Sequence, residues 1–117
     1  MSLRPGKYDL FIAKGATFAI VFTWNIDGDP VDLTNYTARM QIRSTKESSA
    51  VMSSLTTENG GISLGGSAGT ISLSLTASAT SLLIGQSGVY DIELVSGEGV
   101  VYRLLEGVVT LSNEVTR

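Results

Sequence analysis

The sequence predicts an all-β fold, an antiparallel β-sandwich of seven to nine short strands with one short helical turn near residues 77–84. Three observations predict it. Apolar side chains recur at every second residue in several short runs: Phe18, Ile20, Phe22 and Trp24 form the most aromatic, and Ala38, Met40 and Ile42 the cleanest. Clusters of Gly, Asn, Asp and Ser separate those runs at roughly 8–12-residue intervals. One stretch, Ala77 to Ile84, departs from the two-residue period and fits a helical turn better.

Taken in order, Lys7 to Lys14 alternates Tyr8, Leu10 and Ile12 against Asp9, Phe11 and Ala13, and Gly15 ends it. Ala16 to Ile26 follows. Its second face, with Ala19, Val21 and Thr23, carries no charge, so a central place in its sheet is expected. Asp27-Gly28 is the hairpin dipeptide of a type I′ turn, in which both central residues need positive φ; Val31 to Thr34 is expected to return antiparallel. Tyr36 to Arg43 sets Ala38, Met40 and Ile42 against Thr37, Arg39, Gln41 and Arg43. Val51 to Thr57 reads as a weak strand, Ile62 to Leu64 as a short one, and Thr70 to Thr76 as another. After the helical turn come Val89 to Val95, a hairpin at Ser96-Gly97-Glu98-Gly99, Val100 to Leu105, a bend or bulge at Gly107, and Val108 to Leu111.

The passage from Ile71-x-Leu73-x-Leu75 through a helical turn to Gly88-Val89-Tyr90-Asp91-Ile92 resembles the E-to-F passage of immunoglobulin-like domains. Tyr90 then stands at the tyrosine-corner position, and Ile92 where antibody domains carry a cysteine. Trp24 departs from that pattern, because it lies on the second strand and not the third.

The 117 residues accommodate one domain, 1–117, with residues 1–6 expected to be loosely ordered. Charged residues are only 16%, against about 25% in an average globular protein, and Ser, Thr and Gly fill the difference. A neutral, hydroxyl-rich surface suits protein contact. The net charge of −3 with scattered Lys and Arg gives no footprint for nucleic acid. No apolar run approaches the ~20 residues of a membrane span, and no basic-then-apolar leader opens the chain.

Candidate chemistry is sparse. With no histidine and no cysteine, a Ser-His-Asp triad and thiol catalysis are both out of reach. Asp91 and Glu93 share a strand face as a solvated stripe. The Gly-rich segments 60–69 and 85–88 lack the Gly-Lys-Ser/Thr core of a phosphate loop. Asp27, Asp29 and Asp32 are weak metal candidates, because clustered carboxylates suit a hard cation; a hairpin whose Asp side chains bond nearby N–H groups is the simpler reading. Arg39, Gln41 and Arg43, outward on the cleanest strand, are the interface candidates. The expectation is a non-enzyme without cofactors.

The series Trp24-x-x-Asp27-Gly28-x-Pro30-Val31-Asp32-Leu33-Thr34-x-Tyr36-x-Ala38-x-x-Gln41-Ile42-Arg43 resembles small structural proteins of tailed-bacteriophage and prophage tail regions. Gly88-Val89-Tyr90-Asp91-Ile92-Glu93-Leu94 and Arg103-Leu104-Leu105-Glu106-Gly107, running on to Arg117, fit the same pattern, which is also similar to the N-terminal domain of upper baseplate proteins. The resemblance implies a virion module, made in the bacterial cytoplasm, whose partners are other tail or baseplate proteins or copies of itself, usually as a homo-oligomer. A carbohydrate- or receptor-binding sandwich is the alternative. It would need an exposed aromatic pair beside polar groups.

Overall fold

A computed structural model describes residues 5–115. The chain forms β1 (Gly6–Lys7), β2 (Leu10–Ala13), β3 (Phe18–Thr23), β4 (Asn25–Ile26), β5 (Asp29–Pro30), β6 (Thr37–Arg43), β7 (Ser53–Thr56), β8 (Ile62–Leu64), β9 (Thr70–Leu75), α1 (Ala77–Ser81), β10 (Ser87–Val95) and β11 (Val101–Ser112). One sheet runs β1-β11-β10-β6-β7, with β2 also on β11; a second runs β3-β9-β8; β4 and β5 form a hairpin. The inward positions of both sheets meet in a single core that includes Ile12, Met40, Ile42, Leu55, Ile71, Leu73, Ile92, Leu94 and Val109. The fold is an all-β, immunoglobulin-like sandwich. Eight of its eleven strands are longer than two residues, and its α-helix lies inside the expected 77–84 window.

Residues 1–4 of the expected loose terminus lie outside the described residues, whereas Gly6 already pairs in parallel with Leu105. The first strand breaks at Tyr8–Asp9 and resumes as β2, again parallel to β11. Leu10 and Ile12 are buried, but Tyr8 turns out. At the break the Tyr8 N–H donates to the Glu106 carbonyl (3.0 Å), and the Asp9 carboxylate accepts from the Val108 N–H (3.0 Å).

Several expectations need correction. β3 is an edge strand, not a central one: it pairs with β9 alone. The antiparallel return is brief: the Val31 N–H donates to the Trp24 carbonyl (2.8 Å), but the Leu33 N–H already turns to the Gly66 carbonyl (2.9 Å). The chain then crosses to the other sheet as β6 instead of running back along β3. The β4–β5 hairpin is the expected type I′ turn, with Asp27 at φ 53° and Gly28 at φ 85°. The last strand is continuous through Gly107. Its bulge falls at Leu104, between the pairs Ile92–Leu105 and Glu93–Arg103.

Gly107 has a different task. A Cβ there would overlap the Tyr8 carbonyl, so only glycine lets the break in the first strand lie this close to β11. Tyr90 sits opposite Gly107, buried, and its hydroxyl donates to the Tyr8 carbonyl. The phenol thus bonds upstream backbone, as the tyrosine-corner position predicts, and the backbone it reaches is the break in the first strand, 82 residues away. Burial, and to a lesser degree the charge of Asp9, pushes the Tyr90 phenol up to about 12. The neutral phenol is the form the fold favours, so its contribution is complete below pH ~10 and disappears as pH rises toward 12. Tyr90→Phe should cost about 1 kcal/mol at pH 7. In urea titrations it should also flatten the alkaline loss of stability; an unchanged alkaline limb would contradict this assignment.

α1 departs from strand periodicity for a visible reason. Thr76 caps it by accepting from the Ala79 N–H (3.1 Å). Thr80, fully buried, accepts from the Gly15 N–H (3.0 Å) and donates to the Ala16 carbonyl (2.8 Å), which ties the helix to the β2–β3 connection.

Candidate interaction surfaces

The two sheets present opposite chemistry outward. On the six-strand side, the outward residues of β6, β10 and β11 help form a groove of about 510 Å³ lined in part by Arg39, Gln41, Arg43, Lys46, Asp91, Glu93, Arg103 and Glu106. Three ion pairs lace it: Lys7–Glu106 (2.6 Å), Arg39–Glu93 (2.7 Å) and Arg103–Asp91 (3.7 Å). Arg43 donates instead to the Ser48 carbonyl (2.6 Å) and the Gln41 amide oxygen (2.8 Å). Lys7, Arg39, Arg43, Lys46 and Arg103 are five of the chain's eight Lys and Arg residues. They face three carboxylates, so this side is locally positive on a chain of net charge −3.

The Lys7 hydrogen bond holds the Glu106 carboxyl below its usual range. Asp91 goes the other way: burial, and secondarily the charge of Glu93, raises its carboxyl, with Arg103 only partly offsetting. A raised carboxyl stabilises the fold in its protonated form, and that contribution is lost as pH climbs out of the acid range. Asp91→Asn should therefore raise the Tm slightly at pH 7, with the gap to wild type closing near pH 3. A variant less stable than wild type at pH 7 would show that the Arg103 pair dominates.

The outward residues of β3, β9 and β8 carry no charge. Ala19, Val21 and Thr23 of β3 lie beside Ser74, Ser72 and Thr70 of β9, and Ser63 of β8 completes the face. The β3 edge beyond it is open. Between that edge and β2 lies a second groove of about 380 Å³, lined in part by Tyr8, Phe11, Phe18 and Ile20.

Of the sequence candidates, the structure brings Arg39, Gln41 and Arg43 together with acids from β10 and β11. Asp27 is a central residue of the hairpin turn, and Asp29 closes it opposite Ile26. Asp32 accepts from the Thr34 hydroxyl (2.6 Å) and N–H (3.0 Å), which lowers its carboxyl below the usual range. Among the described residues no three potential metal ligands converge. Phe11 is 63% exposed, whereas Tyr102 turns inward onto Trp24, ring centroids 5.5 Å apart. Sequence reasoning missed Lys7, Lys46, Arg103 and Glu106. No local signal exists for a contact such as Lys7–Glu106, whose members lie 99 residues apart.

Fold and surfaces together give an immunoglobulin-like sandwich with one charged and one uncharged outer face. No protein-family model matches the chain, and no curated protein matches it. Among solved structures, the chain is similar to the extracellular domain of the voltage-gated sodium channel beta4 subunit, described as a parallel homodimer with a role in cell–cell adhesion. That similarity covers 98% of this chain and 99% of the other at 12% identity, with a TM-score of 0.49.

Proposed function

We propose that this chain is a non-catalytic assembly module of a phage or prophage tail or baseplate, acting by protein–protein contact. The observation that carries the contact reading is the β3 side: an uncharged outer face of Ala, Val, Thr and Ser next to an unpaired six-residue edge. Proteins that stay apart normally guard such an edge with charge, proline or a bulge. The phage setting is supported by the motif resemblance across Trp24 to Arg43, Gly88 to Leu94 and Arg103 onward. Mass spectrometry of purified particles induced from a host carrying the gene tests it. The chain should appear in stoichiometric amount beside tail proteins; particles that lack it, or gene neighbours unrelated to a tail, would refute the setting.

The carbohydrate- or receptor-binding reading has weaker support. Phe11 and Tyr8 are exposed, but the Tyr8 ring rests edge-on against Phe22 at 5.0 Å. The nearby Asp9 carboxylate is already engaged by Val108. Saturable binding on a glycan array would reverse this ranking.

A further inference from the structure

We propose that two copies of this chain pair antiparallel along the free edge of β3, with Val21 on the two-fold axis, merging their three-stranded sheets into one of six strands. The proposal rests on the contact-module reading above and names its partner: a second copy.

The backbone decides which groups are free. On β9 the Ser74 N–H donates to the Gly61 carbonyl (2.9 Å), and the Thr70 carbonyl accepts from the Gly65 N–H (2.9 Å). Even-numbered β9 residues thus bond toward β8, which leaves Ile71, Leu73 and Leu75 to bond β3, where they oppose Phe22, Ile20 and Phe18. Because bonding alternates along an antiparallel ladder, the N–H and C=O groups of Ala19, Val21 and Thr23 point away from the sheet.

Those three residues are self-complementary. An antiparallel pair of identical strands keeps both inner faces inward only when one residue lies on the axis. With Val21 there, Val21 meets its own copy and Ala19 meets the copy's Thr23, so every free group finds a partner. An axis at Ile20 would leave Thr23 unmatched within the strand. The strand contains no charged residue, so no like charges oppose each other.

The other edges are blunted. β8 has three residues, β7 four, and the β1–β2 edge is broken at Tyr8–Asp9. β3 has six, without proline, bulge or charge. The second groove, which mixes Phe11, Phe18 and Ile20 with Asp9 and Thr17, opens along this same side, with Phe11 63% and Tyr8 45% exposed at it. A copy paired on β3 would cover that groove, as strand addition beside a side-chain pocket requires.

Light scattering on the full chain at rising concentration should give twice the chain mass. Val21 is 60% exposed, so Val21→Lys and Val21→Glu should keep the wild-type circular dichroism and urea midpoint while each stays monomeric. Their equimolar mixture should recover the dimer, because opposite charges then meet at the axis. Amide exchange of Ala19, Val21 and Thr23 should slow as the dimer forms. A wild type that remains monomeric, a dimer indifferent to Val21→Lys, or a mixture that stays monomeric would each overturn the pairing. A monomer found in purified particles would overturn self-pairing alone and leave the assembly role standing.

Discussion

Ile92→Ala is expected to cost the folded state about 2–5 kcal/mol, a large part of the ~5–15 kcal/mol that holds a small domain together. Ile92 is fully buried at the middle of β10, paired with Met40 of β6 on one side and Leu105 of β11 on the other. Across the sandwich its sheet packs against Ile71 and Leu73 in the same core. Truncation removes three carbons from a site whose walls are backbone ladders on both flanks, and such walls cannot collapse to fill the space. Urea unfolding followed by the fluorescence of Trp24 should show the midpoint fall steeply. Ile92→Val should cost only about 0.5–1.5 kcal/mol. The neighbouring outward Glu93→Ala should stay within roughly 0.5 kcal/mol of wild type. A tolerated Ile92→Ala would mean that the two layers do not close over this position.

Gly107→Ala should be comparably damaging, about 2–4 kcal/mol, although it adds a methyl group instead of removing one. The new carbon would overlap the Tyr8 carbonyl, and backbone cannot swing aside as a flexible side chain can. The β1–β2 segment would have to lift from β11, with strain at the Tyr8 N–H to Glu106 bond and at the Tyr90 hydroxyl. Two readouts distinguish this from general loosening. The Tyr90 phenol should titrate below its present value of about 12, toward the ordinary range near 10. Gly107→Ala combined with Tyr90→Phe should cost less than the sum of the two, because both act through the same carbonyl. Full additivity with an unmoved phenol would contradict the proposed contact.

Local pattern carried much of the architecture. The inward registers of β2, β6, β9 and β10 can be read directly from alternation, because a buried face and a period of two leave one solution. The Asp27-Gly28 turn and the helical turn at 77–81 follow from local backbone chemistry. What alternation cannot report is the neighbour beside a strand. The uncharged second face of β3 suits a strand at the centre of its sheet, which is what the pattern predicts, and equally an edge strand, which is what the pairing shows. Likewise a glycine in a strand reads as a bulge, yet Gly107 is set by the approach of residue 8, remote in sequence, while the bulge falls at Leu104.

The interaction surfaces divide in the same way. That Arg39, Gln41 and Arg43 face outward was legible, because each lies one residue from a buried apolar side chain. Their meeting with Glu93, Asp91 and Arg103 was not, because it depends on β10 lying between β6 and β11.

The sequence by itself determined two apolar-faced layers, the places where the chain turns, and a surface poor in charge, because each of these depends on residues a few positions apart. Only the tertiary structure decided which strands lie at the edges, that the N-terminal strand runs parallel to β11, and that Tyr90 spans Gly107 to hold it. Those outcomes depend on long-range pairings, whose free energy comes from surfaces that meet only once the chain has closed.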